Sequence, residues 1–543
     1  MTPAVSCSDP SFLRVPPFPG HKGAPLTQVG GSDVDAKEVM AAICAAQVGG
    51  TFWGAQPDMA DDIILLVPDT EDQLRVMMAL LGKGQASAAL APSMQLPSHC
   101  QRLPVDCDPW HLASAAREIW AGAGQEIALI ARLNGTPLRL FGDGRYAGCD
   151  SAPEAALADA VARWRYTSPF TGEDWSPLDA IAQLFDWRRL IDANRRIDAV
   201  YGVARWKRVT LDTMLWNGSS PVRHARRFRP ASGIGQHHVA WKSRTSPKLL
   251  ARLAEKGVRL SELEDGFIRS VGLGANCVPP LSAIVDLTGI YFDPSQQSDL
   301  ETILQTDNFD QKLSSRAAAL KRRLVDANIS KYGQLRSEIK HAVKDRYKVL
   351  VAGQVEDDRS ILTGGFGTTN LELLARARAC EPHAHIIYKP HPDVVAGHRK
   401  GHVETAAALR FADEIQQDAS ITALIDAVDG VHVITSLAGF EALLRGKAVT
   451  THGVPFYAGL GLTKDLGDVP ARRTRRLSLD ELVAGTLLIY PRYIDPVTRL
   501  PCPAELLVER MARGEANIST PLITLRQWQG RLRSLLRPLI ERH

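Results

Sequence analysis

Short apolar runs alternate along this chain with stretches in which apolar residues recur every three or four positions. Ile63-Ile64-Leu65-Leu66-Val67, Tyr347-Lys348-Val349-Leu350-Val351 and His385-Ile386-Ile387-Tyr388 are runs of the first kind. Leu371-Glu372-Leu373-Leu374-Ala375-Arg376-Ala377 is of the second. The alternation predicts strands followed by helices, and so an α/β protein with parallel sheets covered on both faces. In such sheets ligands sit beyond the carboxyl ends of the strands, which directs attention to the residues just after each run. Outside this pattern, residues 1–35 are rich in Pro, Gly and Ser and predict a flexible arm. At the other end, residues 516–543 carry Leu525, Trp528, Leu532, Leu535, Leu536 and Leu539 on one helical face with arginines elsewhere. That is a basic amphipathic helix, limited in length by Pro538, which either lies on an anionic membrane surface or packs against the body of the protein.

The pattern also repeats. Gly439-Phe440-Glu441-Ala442-Leu443-Leu444 followed by His452-Gly453-Val454-Pro455-Phe456-Tyr457-Ala458-Gly459 matches an earlier pair of segments. These are Gly124-Gln125-Glu126-Ile127-Ala128-Leu129 and Phe141-Gly142-Asp143-Gly144-Arg145-Tyr146-Ala147-Gly148. A Tyr-x-x-Pro-x-Thr follows each, at Tyr493–Thr498 and Tyr166–Thr171. Residues 60–185 therefore read as a shortened relative of residues 345–515. On this alignment Tyr388-Lys389-Pro390-His391-Pro392 faces Leu90-Ala91-Pro92-Ser93-Met94, and Thr435-Ser436 faces Trp120-Ala121. The early copy keeps a framework and lacks the polar groups. The expected organisation is an arm to 35, a degenerate Rossmann-like half-module at 36–190, domains at 196–340 and 341–515, and the helix at 516–543.

Composition narrows the classes. A chain of 543 residues is too long for one core. Its net charge of +4, without aromatics interleaved among basic residues, gives no reason to expect nucleic acid. The eight cysteines form no CxxC pair and have no histidine at zinc-ligand spacing, which fits a reducing, cytoplasmic setting without a metal. The first residues lack the apolar core of a signal peptide, and no run of about 18 apolar residues suggests a membrane span.

Several segments carry candidate chemistry. In Glu262-Leu263-Glu264-Asp265-Gly266-Phe267-Ile268-Arg269-Ser270, adjacent carboxylates repel, so one is expected to titrate high enough to serve as a base. Gly266 is expected to permit a turn that other residues resist. The plain alternative is an acidic turn with Arg269 as its ion-pair partner. His391, fixed between Pro390 and Pro392 at a strand end, suits a group that meets a leaving phosphate, and Lys389 is either a phosphate contact or a solvated lysine. Thr435 and Ser436 precede the helix containing Glu441, where hydroxyls and free N–H groups either seat a phosphate or simply cap the helix. Gln354 is a candidate base or acceptor-sugar contact, and Glu356 and Asp357 either line the site or begin a helix. The Gly364–Asn370 loop has no Gly-Lys-Ser/Thr and so is no Walker loop; Thr368, Thr369 or Asn370 is expected to cap the next helix.

Together these strings resemble the bacterial capsule-polysaccharide β-Kdo transferases of the KpsC type. The resemblance rests on Trp206-Lys207-Arg208, EDGFIRSVGLG at 264–274, YFDP at 291–294, GQVEDD at 353–358, YKPHPDVVAG at 388–397, TSLAGFEALLRGKAV at 435–449, PFYAGLGLT at 455–463 and YPRYIDP at 490–496. Leu460 stands where the family usually has Trp. The family commonly carries two complete modules, and here only one has both the EDG and the HP. The resemblance implies a GT-B-like pair of Rossmann-like domains that moves Kdo from CMP-Kdo to a lipid-linked β-Kdo acceptor with inversion. It makes Asp265 the general base and gives Glu264 a part in shaping the site. His391 would assist departure of CMP, with Thr435 and Ser436 on its phosphate. No cofactor or metal is implied, since CMP-Kdo is a substrate and a monophosphate leaving group can be stabilised by fixed donors. Implied partners are the nucleotide sugar, the lipid-linked oligosaccharide and capsule biosynthesis or export proteins, with the enzyme peripheral on the cytoplasmic face of the inner membrane. A second reading is a non-catalytic paralogue that binds the linker or a partner and modulates polymer length or export. A third is transfer of a related 2-keto sugar such as a sialic acid.

Overall fold

The computed structural model describes residues 11–82, 85–91, 95–98, 100–229, 237–270, 278–330, 333–334, 346–397 and 399–518. The segment Gly272-Leu273-Gly274 and the C-terminal helix expected beyond residue 518 lie outside the described residues. The chain divides into two compact units. One takes residues up to 197 with 212–223 and 497–501; the other takes 198–211, 224–496 and the residues from 502 on.

In the first unit, β1 (Ile64–Val67), β2 (Ser87–Ala89), β3 (Cys100–Arg102), β4 (Glu118–Gly122) and β5 (Leu138–Phe141) form a parallel sheet in the order β3-β2-β1-β4-β5. All four residues of β1 are buried, as a strand covered on both faces requires. Helix α1 (Glu126–Asn134) follows β4. The expected flexible arm is a correction: Phe12, Leu13 and Phe18 are buried, and Phe18 meets Trp187 and Trp216 edge-on at 5.6 and 5.1 Å. Thr27–Val29 adds an antiparallel strand to residues 164–166. A composition dominated by Pro and Gly hid these few aromatic anchors, each of which buries a large apolar area.

The second unit holds two sheets. β6 (Ile197–Tyr201), β7 (His237–Ala240), β8 (Leu260–Asp265) and β9 (Ser282–Asp286) lie side by side, with Arg492–Tyr493 added next to β9. β7 and β8 are parallel, but β9 runs antiparallel to β8 and Arg492–Tyr493 antiparallel to β9. This sheet is mixed where strand–helix alternation predicts a parallel one, because no helix is described between β8 and β9 to carry the chain back. The strand at 492–493 also corrects the expected boundaries: the end of the 341–515 segment returns to the sheet of the preceding domain. The second sheet contains β10 (Lys348–Ala352), β11 (His385–Lys389), β12 (Glu414–Ile415), β13 (Gly430–Val433), β14 (Ala448–Thr451) and β15 (Lys464–Asp465). It is parallel throughout, in the order β12-β11-β10-β13-β14-β15. The strand order reverses between β10 and β13, and the crevice beyond their carboxyl ends is where such a sheet takes a nucleotide.

The first unit's sheet has this same order with one strand fewer. The likeness extends to a side-chain clamp at the reversal. Asp69, two residues past β1, accepts the Gly124 amide at 3.1 Å. Gln354, two residues past β10, accepts the Ile434 and Thr435 amides at 3.1 and 2.9 Å. Topology thus equates Gly124 with Thr435 and the helix cap Gln125 with the cap Ser436. The alignment of Thr435-Ser436 with Trp120-Ala121 is corrected, since Trp120 and Ala121 lie inside β4. In the corrected register the early copy still lacks both hydroxyls. Of the segment aligned with the HP motif, Pro92, Ser93 and Met94 lie outside the described residues.

Candidate active site

β8 ends on two carboxylates in unlike surroundings. Asp265 is held by two cations: Lys207 Nζ lies 3.2 and 3.4 Å from its oxygens, and Arg269 Nε donates at 2.8 Å. Lys207 is almost wholly buried and sits 3.3 Å from the centre of the Trp241 ring. Burial pushes its pKa down to about 8, against the pull of Asp265. Arg269 is buried as well; it also donates to Ser270 Oγ at 2.6 Å and to the Val278 carbonyl at 3.1 Å. Arg269 therefore braces Asp265, and Ser270 helps to hold Arg269.

Glu264 has the opposite fate. Side chains alternate along a strand, so Glu262 and Glu264 share the face that Asp265 does not. Arg359 bonds Glu262 and lies 3.7 Å from Glu264, and Lys242 pairs with Glu262 at 2.8 Å. Burial pushes the Glu264 pKa up to about 7, with the charges of Asp265 and Glu262 adding to it. The expectation that one of the adjacent acids titrates high is met by Glu264, and desolvation is the leading cause rather than mutual repulsion. Gly266 is required for a different reason from the one expected. Its φ is not in the left-handed region, but a Cβ there would stand 2.2 Å from Ser282 Oγ.

The remaining candidates lie at the strand ends of the six-stranded sheet. His391 follows β11 and caps the short helix Pro392–Val395, with Nδ1 accepting the Asp393 amide at 3.2 Å. That bond leaves the proton of the neutral ring on Nε2, as a donor. Burial holds the His391 pKa below its usual value, while Asp393 and Asp358 pull the other way. Ser436 caps the helix Leu437–Leu444, its Oγ accepting the Ala438 amide at 3.2 Å. Thr435 Oγ1 receives the Gln354 side-chain amide at 3.2 Å. Glu441 is buried in the same helix and lines a small cavity with Phe267, Ile268 and Phe440.

Four candidates have structural partners of their own. Gln354 is the clamp already described. Lys389 Nζ donates to the Gln417 carbonyl, so its ammonium is committed to a neighbouring loop. Glu356 accepts the Asn370 amide at 2.8 Å, at the start of the helix Asn370–Cys380, which Thr369 caps. Asp357 pairs with Arg399 at 3.1 Å on the surface. The helix-start reading of this acidic segment is the one the geometry supports.

Lys207, Trp241, Lys242, Glu262 and Arg359 escaped sequence reasoning as site residues. Lys207 left a trace inside Trp206-Lys207-Arg208, and Glu262 opened the quoted acidic string without being assigned a part. Among the described residues no group of three or more His, Cys, Asp or Glu gathers as for a metal ion, and no helix is long and apolar enough to cross a membrane.

Comparison with known proteins adds a lineage. Residues 237–493 match the model of a family described as capsule polysaccharide biosynthesis protein. The capsule polysaccharide modification protein LipA of Neisseria meningitidis serogroup A is 38% identical over 438 residues, which cover 76% of this chain and 62% of LipA. The chain thus spans less than two thirds of that relative's length. Two solved Thermosulfurimonas dismutans KpsC structures, titled beta Kdo 2,4 transferase and beta Kdo 2,7 transferase, are 31% and 33% identical. They match 58% and 59% of this chain and 98% and 99% of their own, with TM-scores of 0.49 and 0.46.

Proposed function

We propose that the second unit, whose residues 237–493 match the capsule polysaccharide biosynthesis family, is a glycosyltransferase that moves Kdo from CMP-Kdo to a lipid-linked β-Kdo acceptor. The observation that carries this reading is the contrast between Glu264 and Asp265 at the end of β8. One carboxylate is driven by burial toward its neutral form and its neighbour is ion-paired to two cations, and such unlike surroundings suit divided acid–base roles. In the displacement the bond from C2 of Kdo to the CMP phosphate breaks, CMP leaves with the electron pair, and the acceptor oxygen bonds C2. The acceptor proton passes to a carboxylate. Glu264, with a pKa of about 7, takes the role of base in place of Asp265, whose oxygens are paired with Lys207 and Arg269 and which instead faces the positive charge developing at C2. His391 Nε2–H, Ser436 and the amides that open the helix Leu437–Leu444 supply donors for the departing phosphate. Enzyme presented with CMP-Kdo and a Kdo-primed lipid should release CMP, and Glu264→Gln should suppress that release; undiminished release would exclude Glu264 as the base.

The same contrast favours one further reading of the mechanism. The Asp265 carboxylate is also a group of the kind that attacks C2 to form a glycosyl ester, which the acceptor then displaces with Glu264 as base. The anomeric configuration of the product by NMR separates the two, since one displacement inverts the donor's configuration and two retain it.

A further inference from the structure

Arg359 begins a short helix, Arg359–Gly364, directly behind β10, yet its guanidinium lies on β8 of the other sheet. It bonds the buried Glu262, approaches Glu264 to 3.7 Å and rests 4.9 Å from the centre of the Phe292 ring. The helix is anchored for this reach. Asp358 caps it through the Ser360 amide at 3.0 Å, and Thr363 Oγ1 donates to the Phe292 carbonyl at 3.0 Å. The charged groups facing Glu264 are Glu262 and Asp265 from its own strand, Lys207 from the turn after β6, and Arg359. Lys242, from the turn after β7, is engaged with Glu262. Lys207 is committed to the oxygens of Asp265. Arg359 is thus the cation on the Glu262–Glu264 face that comes from the nucleotide-side sheet.

We propose that Arg359 is a positioning residue that couples the two sheets of the second unit: by bringing its charge onto the Glu262–Glu264 face, it makes Glu264 an effective proton acceptor only when the sheets stand together. The inference rests on the transferase reading and adds to it a link between domain apposition and the ionisation of the base. A bare tether between sheets would need only the bond to Glu262. The approach to Glu264 does something a tether does not, since it favours the charged carboxylate at the position where the proton must be taken up.

The test compares wild type, Arg359→Gln and Arg359→Lys in the full chain. CMP release is followed across pH, and the Glu264 carboxyl is titrated by 13C NMR, its signal assigned through Glu264→Gln. Arg359→Gln should move the acidic limb of the rate profile and the NMR midpoint of Glu264 upward together, by about one pH unit, and Arg359→Lys should restore most of the shift. A variant that melts earlier but keeps both midpoints would make Arg359 a tether and overturn the proposal. If wild type releases no CMP, the transferase reading fails, while an unmoved NMR midpoint in Arg359→Gln would refute the coupling on its own.

Discussion

Lys207 holds its ammonium 3.2 Å from Asp265 and 3.3 Å from the centre of the Trp241 ring. The pairing fixes Asp265 from one side as Arg269 fixes it from the other. Replacing Lys207 with Met leaves the carboxylate one cation short and less firmly held in place. CMP release should fall on the order of a hundredfold, the scale on which misplacement of a reacting group acts. Lys207→Arg keeps the charge and the aromatic contact and should recover part of the loss, which a comparison of initial rates at saturating donor will show.

The two titrating neighbours define a narrow pH range. Glu264 must be ionised to accept a proton, so activity should rise through about pH 7. Lys207 must be protonated to hold Asp265, so activity should fall through about pH 8. His391, whose pKa lies below the usual imidazole value, stays neutral across this window and adds no limb of its own. The limbs belong to a coupled set and are macroscopic values. Lys207→Arg discriminates between them: an arginine does not titrate here, so the alkaline limb should vanish while the acidic limb stays.

Glu264 should also weaken the fold where it serves the reaction. Its pKa is about 7 in the folded protein against an ordinary value of 4.5. With the folded value raised, its contribution to stability is fully present below about pH 4.5 and is lost as pH rises through about 7. Glu264→Gln removes the ionisation, so the variant should match wild type near pH 4.5 and exceed it at pH 8 by at most about 3 kcal/mol. Melting temperatures at the two pH values measure this; a variant no more stable than wild type at pH 8 would contradict the assigned shift.

What was legible beforehand follows from range. β10, β11 and β13 are buried on both faces and so announce themselves as apolar runs. Their carboxyl ends therefore located His391, Thr435 and Ser436 without a structure. Lys207 and Asp265 are 58 positions apart, and Arg359 and Glu262 are 97 apart. Pairs at that separation leave no periodic or local trace, so the pairing of Lys207 and Arg359 with these carboxylates was invisible. Gln354 and Glu356 show the converse error. Their polarity and place beside a strand end suggested chemistry, but polar side chains are also what satisfies the loose amides at helix starts and chain reversals.

Gly266 separates two explanations of a glycine. If backbone freedom mattered, no change elsewhere would rescue Gly266→Ala. Instead a Cβ meets Ser282 Oγ at 2.2 Å and Ser282 Cβ at 2.7 Å, both side-chain atoms. Gly266→Ala should cost about 1–3 kcal/mol, as overpacking does. Adding Ser282→Gly should return much of that stability, and the interaction term of the double-mutant cycle measures the clash directly.

Asp69 and Gln354 occupy equivalent places in the two parallel sheets and make equivalent bonds, so matched substitutions should separate architecture from catalysis. Asp69 accepts the Gly124 amide and, at 3.0 Å, the Gln125 side-chain amide. Gln354 accepts two amides beside Thr435 and donates to its hydroxyl. Alanine at either place strands main-chain N–H groups, a loss of about 1–3 kcal/mol. In Asp69→Ala the loss falls on a unit that has no Ser436 or His391 equivalent among its described residues, so kcat should be unchanged at temperatures where the protein stays folded. In Gln354→Ala the released segment carries Thr435 and leads into Ser436, so kcat should fall in addition to the melting temperature. Equal loss of kcat in the two variants would mean that the first unit takes part in the reaction, contrary to the division of roles argued from its bare crevice.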